Sequence, residues 1–370
     1  MLLADSIVTT TELKTAIAAF IVGIVVGITG MGGGALMTPA LIFLGVGDAA
    51  KVVTADLTAA AVYKTGGAAV HWREGSPNFR LAGWLIAGSI PFALLGPHLV
   101  AWLAPEADLD NILKLCIGFA LLFAAASYAL RLYIQLRHKV AGRDQGPTDP
   151  VIRPLPTLLV GAVGGLLVGI TSVGSGSVIM IALLMLYPTL SAVKLVGTDL
   201  VQAVPLVLAA ALSNIALHGL DWGIVIPLTI GSVPGCILGA KIAPRVRQSF
   251  IRRGIIVVLT MSGFALLDKA GWAPLGAGED ETYPVLTAVV GLVTLVLVPL
   301  VWGLLRKTVG LPMFGDPTVE EIEDPEAANP QERKQDVHSP RHPGGNPLSR
   351  DSLDLAAPNR KSTRFVAQPG

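Results

Sequence analysis

The sequence predicts an all-α polytopic membrane protein of two inverted repeats. Each repeat opens on a glycine-rich, broken and re-entrant first segment, and one extra transmembrane helix and a disordered tail follow. Three observations carry this prediction: a shortage of charge confined to the front of the chain, an internal repeat, and a conflict between loop charge and helix count. Of 370 residues, 52% are hydrophobic and only 14% are charged, against about 25% charged in ordinary soluble domains, and mean hydropathy is +0.64. Residues 306–370 hold 9 Lys/Arg and 10 Asp/Glu, which leaves 18 basic and 16 acidic residues for the first 305. This composition excludes a disordered protein, a nucleic-acid binder and most soluble enzymes, and it makes the lipid bilayer the expected surroundings.

Apolar segments recur at residues 15–46, 52–72, 81–103, 111–134, 155–187, 192–217, 223–243, 254–267 and 283–305. A membrane helix needs about 20 apolar residues, so the eighth must extend into its flanks. The first and fifth exceed 30 residues, and each is interrupted near its middle by glycines. No cleavable signal peptide is expected, since Asp5, Glu12 and Lys14 surround the first run in place of a basic region. Cys116 and Cys236 both fall inside apolar runs, which argues against a disulfide framework and a zinc site. No metal or other cofactor is expected. Beyond Lys307 prolines accumulate without apolar periodicity, so residues 312–370 read as a disordered tail.

The repeat is visible residue by residue. Gly27-Ile28-Thr29-Gly30-Met31-Gly32-Gly33-Gly34 matches Gly169-Ile170-Thr171-Ser172-Val173-Gly174-Ser175-Gly176 at an offset of 142. Lys51-Val52-Val53-Thr54-Ala55-Asp56-Leu57 matches Lys194-Leu195-Val196-Gly197-Thr198-Asp199-Leu200 at 143, as Gly88-Ser89-Ile90-Pro91 matches Gly231-Ser232-Val233-Pro234. Three matches in order define a duplicated unit. The domains are then a first repeat over 1–136, a cytoplasmic linker over 137–154, a second repeat over 155–267, the extra helix over 283–307 and the tail over 312–370.

Charge sets the topology. Lys and Arg collect on the cytoplasmic side of short loops. Arg131, Arg137, Lys139, Arg143 and Arg153 place the linker inside, and Lys241, Arg245, Arg247, Arg252 and Arg253 place the loop after the seventh segment inside. Three single crossings would put these loops on opposite sides. If each glycine-interrupted first segment enters, breaks and returns, each repeat crosses three times and the conflict disappears. Broken backbone at membrane depth requires protein or a cavity around it. The result is an outside N-terminus, seven full crossings, two re-entrant hairpins and a cytoplasmic tail. A long kinked helix crossing once is the alternative.

Inverted repeats with broken helices are the pattern of secondary transporters, whose half-helix N-termini face anionic groups near the midplane. The candidate site is therefore the two breaks: Thr29, Gly30, Gly32, Gly33 and Gly34 in one, and Thr171, Ser172, Gly174, Ser175 and Gly176 in the other, with Ser177 adding a hydroxyl. They lack acidic residues, which suits an anion; the competing reading is that the glycines only permit close helix packing. Charges inside the membrane are costly, which singles out Asp56, Asp199 and Lys64. Asp56 and Asp199 are repeat-equivalent, about one turn into their segments, and read either as caps at the helix start with Thr54 or Thr198 or as gating or proton-linked carboxylates. Lys64 has Val207 as its repeat partner; it either neutralises a translocating anion or pairs with an acid. His71 and Asn214 are matched, His98 and His218 read as interfacial, Tyr63 and Gln202 are candidate cavity liners, and Pro91 and Pro234 are matched interruptions expected to kink their helices.

These residues together resemble the TauE/SafE family of sulfite exporters and related anion permeases. The resemblance rests on the two glycine-rich stretches, Ala55-Asp56-Leu57 with Tyr63-Lys64, Gly197-Thr198-Asp199-Leu200, the two Gly-Ser-x-Pro motifs, and Asp221-Trp222 after His218-Gly219. It covers about residues 14–267. In the first repeat, Val53-Thr54-Ala55-Asp56 departs from the Gly-Thr-Asp form, and Pro77-Asn78-Phe79 replaces a Val-Asp-Trp-like stretch. The resemblance implies movement of sulfite, sulfonates or similar small anions across the bacterial cytoplasmic (inner) membrane, with no enzymatic activity. Export is energetically feasible, since one anion leaving a negative interior gains about 2.3 kcal/mol per 100 mV. The expected partners are a small anionic substrate and the bilayer, with no nucleic acid; a homo-oligomer is compatible with the sequence. The alternatives are an anion channel, a membrane-embedded protein whose tail docks a partner, or an intramembrane hydrolase using Ser175 with His218. The last lacks an acid and a nucleophile elbow.

Overall fold

The computed structural model describes residues 10–29, 33–73, 77–105, 108–140, 151–188, 190, 192–242, 248–272, 284–308 and 310–313. The chain divides into two units, Met1–Asp324 and Pro325–Gly370, and everything described lies in the first. From residue 314 on, the expected tail lies outside the described residues.

Among the described residues all regular structure is helical. The first predicted segment is α1 (Thr10–Thr29) and α2 (Gly34–Phe43); α3 (Ala49–Arg73), α4 (Phe79–Leu103) and α5 (Leu109–Val140) follow. The second glycine-rich segment is α6 (Pro154–Thr171) and α7 (Val178–Leu186), followed by α8 (Ala192–His218), α9 (Trp222–Ile242), α10 (Gln248–Lys269) and α11 (Pro284–Thr308). The short eighth segment extends at both ends, to 22 residues in α10. The last turn of α5 runs into the expected linker. Pro91 and Pro234 lie inside continuous helices and do not interrupt them.

Local chemistry explains the boundaries. Asn78 caps α4, its side chain accepting from the Leu81 N–H at 3.1 Å, and Asp221, its repeat equivalent, accepts from the Gly223 N–H at 2.9 Å. Such caps are worth about 1 kcal/mol. Pro154 starts α6 where its missing N–H costs nothing.

The repeats exchange partners. α1 packs on α9, and its counterpart α6 packs on α4. Small residues allow the approach: Gly23 and Gly27 face Ser232 and Cys236, and Gly161, Gly165 and Gly169 face Leu85, Ser89 and Ala93. In both pairs residue numbers rise together, so the paired helices are parallel. Two corresponding pairs, α3 with α8 and α5 with α10, run antiparallel instead. Gly118 and Leu122 of α5 meet Leu267 and Gly263 of α10, and the chain leaving α3 bonds through the Asn78 N–H to Thr198 near the start of α8.

α6 and α7 fold back on each other. Ile179 packs against Gly164, and Tyr187, just past α7, accepts at 2.9 Å from the Arg153 N–H, just before α6. The end of α2 and the start of α3 are held from elsewhere: the Lys269 ammonium donates to the Ile42 carbonyl at 3.3 Å, and the Ala49 N–H donates to Asp110 at 2.7 Å.

Seven helices among the described residues are long and apolar enough to cross a membrane: α1, α4, α5, α6, α8, α9 and α11. The number equals the expected crossings, but the set differs. α3 and α10 are not in this set. At 25 and 22 residues they still measure about 37 and 33 Å, by the helix rise of about 1.5 Å per residue.

Candidate functional site

The two breaks touch. α1 stops at Thr29 and α2 starts at Gly34; α6 stops at Thr171, Ser172 takes the left-handed conformation (φ 60°), Gly174 has φ +124°, and α7 starts at Val178. A Cβ on Gly34 would stand 2.7 Å from the Ser172 carbonyl carbon and 2.8 Å from its Oγ. Glycine at this position is what lets the repeats meet. Neither half-helix N-terminus is closed by a side-chain cap: Gly33 has no side chain and Ser177 makes no capping bond. The first N–H groups of a helix have no intrahelical partner, so the start of α2 remains a potential donor, whereas at the start of α7 the Val178 and Ile179 N–H groups donate to the Gly174 carbonyl at 3.0 and 3.3 Å.

α3 lies against this junction. Asp56, Tyr63 and Lys64 are spaced seven and eight residues apart, which puts them on one helix face two turns apart. Asp56 is fully buried. Its Oδ2 accepts from Thr38 Oγ1 of α2 at 2.7 Å and from Ser172 Oγ of the second break at 2.8 Å. Its Oδ1 is buried and has no hydrogen-bond partner among the described residues. Lys64, also buried, donates from Nζ to Ser175 Oγ. Tyr63 OH accepts from the Gly33 N–H at 2.8 Å. One face of α3 thus ties both breaks together.

Asp199 sits on α8 within electrostatic range of Lys64 and Arg131, and its Oδ1 accepts from Gln202 Nε2 at 3.3 Å. Lys64 interacts with Asp199 and with Asp56. Asp56 and Asp199 are not caps at the helix start, one of the two readings their position allowed. α3 starts at Ala49 and α8 at Ala192, so each carboxylate stands two turns inside its helix, beyond the unpaired first-turn N–H groups.

The other candidates separate. Gly33, Gly34, Ser172, Gly174, Ser175 and Gly176 are buried in the breaks. Gly30 and Gly32 lie outside the described residues, and so does the side chain of His71. Thr29 Oγ1 donates to its own helix at Val25 O, 2.8 Å, and Thr171 Oγ1 to Leu167 O, 2.6 Å. Asn214 donates to the Gly169 carbonyl at 2.9 Å and holds α8 against α6. His98 contacts Leu94 O and Ser213, and His218 interacts with His98. Ser175 meets Lys64 instead.

Two residues escape the sequence reading. Thr38 is the one hydroxyl in an otherwise apolar half-helix, GALMTPALIF, and that isolation was the available signal. Arg131, counted as a loop charge, lies in α5 within electrostatic range of Asp199. Its position inside the apolar run that precedes the linker was the clue.

A family model described as Sulfite exporter TauE/SafE matches residues 15–266. A probable membrane transporter protein of Bacillus subtilis (strain 168), YjnA, is 35% identical over 252 residues, which span 66% of this chain and 96% of that protein. A second from the same organism, the probable membrane transporter protein YdhB, is 26% identical over 248 residues, 67% of this chain and 97% of that protein. No solved structure is a significant match. The matched region stops before α11.

Proposed function

This chain belongs to the TauE/SafE sulfite exporter family of membrane transporters, and from that premise we propose that it is a permease for small sulfur oxyanions, sulfite or organosulfonate among them. The site is the junction of the two breaks, and transport runs outward across the bacterial cytoplasmic membrane. One observation carries the reading: the start of α2, closed by no side-chain cap, meets the second break in one junction with the buried Lys64 ammonium. A helix N-terminus carries about half a positive charge and N–H donors that suit an oxyanion, and Lys64 adds a full charge in a buried setting.

The antiparallel course of α3 with α8 and of α5 with α10 supports inverted repeats, the architecture in which such sites recur between the two halves. The orientation in this proposal is N-terminus outside and tail inside, with the hairpins re-entering from opposite faces. A membrane potential negative inside then drives anion export without a coupling ion.

The test is flux in proteoliposomes at controlled voltage, with sulfite, sulfate, thiosulfate and organosulfonates. Saturable flux of at least one of these is expected. In Lys64→Ala, inserted normally, flux drops by at least about 10-fold, the scale of losing a charged hydrogen bond in a buried site. Undiminished flux in that variant removes the junction from consideration as the site.

A further inference from the structure

An anion site that contains a buried carboxylate poses a chemical problem. An ionised carboxylate is acceptor-only, with about four lone-pair positions. Oδ2 of Asp56 receives two hydroxyl donors, from Thr38 and Ser172. Oδ1 receives none among the described residues, although the residue is fully buried. Leaving a buried polar atom unpaired is unfavourable by about 1–3 kcal/mol, more for a charged group. The vacancy is also one-sided. α7, the counterpart of α2, is wholly apolar, and Asp199 has Gln202, Lys64 and Arg131 around it. Ser172, which holds Asp56, and Ser175, which holds Lys64, stand three residues apart in one break. Carboxylate and ammonium are therefore both anchored to one break and interact electrostatically.

We propose that Oδ1 of Asp56 is the acceptor for an acidic hydrogen carried by the transported anion, so that the site selects singly charged oxyanions that still bear an O–H. This rests on the junction being the anion site. Hydrogen sulfite in its hydroxyl form, or hydrogen selenite, sets its O–H on Oδ1, while its remaining oxygens face Lys64 and the N–H groups that open α2. Sulfate, selenate and alkylsulfonates carry no such hydrogen near neutral pH and would set oxygen against oxygen. A site built to pair with a ligand hydroxyl rejects analogues without it strongly, because its own polar atom is stranded. The other ionisable groups nearby are Tyr63 and Lys64 on α3, Asp199 on α8, Arg131 of α5, which interacts with Asp199, and Cys236 of α9, which interacts with Tyr63; α2 contributes none.

The experiment uses the full chain in proteoliposomes at one pH where hydrogen sulfite and hydrogen selenite are the main species, with protein-free vesicles to subtract leakage. Hydrogen sulfite, sulfate, hydrogen selenite, selenate and methanesulfonate are compared in wild type and Asp56→Asn. Asparagine keeps one oxygen for Thr38 and Ser172 and presents an NH2 where Oδ1 was. Wild type should prefer each hydrogen-bearing anion at least about 10-fold over its hydrogen-free counterpart and over methanesulfonate. Asp56→Asn should shrink that ratio at least about 10-fold by admitting sulfate and selenate, in line with a hydrogen-bond difference of about 1–3 kcal/mol. Equal handling of both anion types by wild type overturns the selection and leaves the anion site standing, and so does an unchanged ratio in an inserted Asp56→Asn. Absence of flux for all five anions overturns both. If Asp56→Asn does not insert, the wild-type ratios alone decide.

Discussion

Thr29 and Thr38 flank the first break, and their hydroxyl hydrogens go to different places. Thr29 turns back on the Val25 carbonyl of its own helix, whereas Thr38 reaches across to Asp56 at 2.7 Å. Replacing either by valine keeps the shape and removes the hydroxyl. For Thr29→Val the lost bond is local, and Val25 keeps its helical hydrogen bond, so flux should stay within about two-fold of wild type. For Thr38→Val a buried carboxylate oxygen loses one of two donors, a loss of about 1–3 kcal/mol. Both half-saturation and thermal stability should suffer there, by about 10-fold and by several degrees for a domain of this size. Equal effects of the two substitutions on transport and melting would contradict these assignments. Asp56 and Lys64 were legible in sequence because a charge in an apolar run is costly and therefore conspicuous. The difference between Thr29 and Thr38 was not legible, since a hydroxyl that bonds its own helix and one that crosses to another element look alike in one dimension.

Between elements, the close approaches belong to glycine, and they differ in what lies opposite. Gly34 faces the backbone of Ser172, which cannot rotate away, while Gly83 on α4 has nothing within 4 Å. Gly34→Ala must therefore push the two breaks apart and disturb the Asp56–Ser172 bond that spans them, whereas Gly83→Ala fills open space. We expect transport to be lost in Gly34→Ala, by at least about 10-fold, with the protein still inserted, since overpacking costs about 1–3 kcal/mol. Gly83→Ala should leave transport unchanged and stabilise slightly, by up to about 1 kcal/mol, as expected for a mid-helix Gly-to-Ala change. Flux assays and thermal melts on the two variants check the contrast, and normal flux in Gly34→Ala would falsify the tight junction. The interruptions and their repetition were readable because glycine runs stand out in overlong apolar segments. The exchange of partners, α1 with α9 and α6 with α4, was not. A repeat says which residues are equivalent, and it is silent on which ones touch.

At the scale of the molecule, helix length and helix contact give different crossing counts. α1 and α6, at 20 and 18 residues, are long and apolar enough to span a membrane, so each glycine-rich segment could cross once through a kink. The contacts favour a return. Tyr187 beyond α7 is bonded to Arg153 ahead of α6, so the two ends of that segment are neighbours. Gly47, beyond α2, stands against Ile224 at the start of α9, and Ala49 is bonded to Asp110 at the start of α5. Loop charge puts the α6 start inside and the α5 start outside. In a background lacking Cys116 and Cys236, cysteines at Val151 and Pro188 should therefore share one face, and a cysteine at Gly47 should lie on the other. A membrane-impermeant maleimide added to intact cells should label Gly47→Cys and spare Val151→Cys and Pro188→Cys until the membrane is opened. All three residues are solvent-exposed in the fold, so reagent access reports on side and not on burial. Labelling of Val151→Cys and Pro188→Cys from opposite faces would mean a single kinked crossing. That result would separate the two half-helix starts in depth, and the anion site proposed between them would go with it.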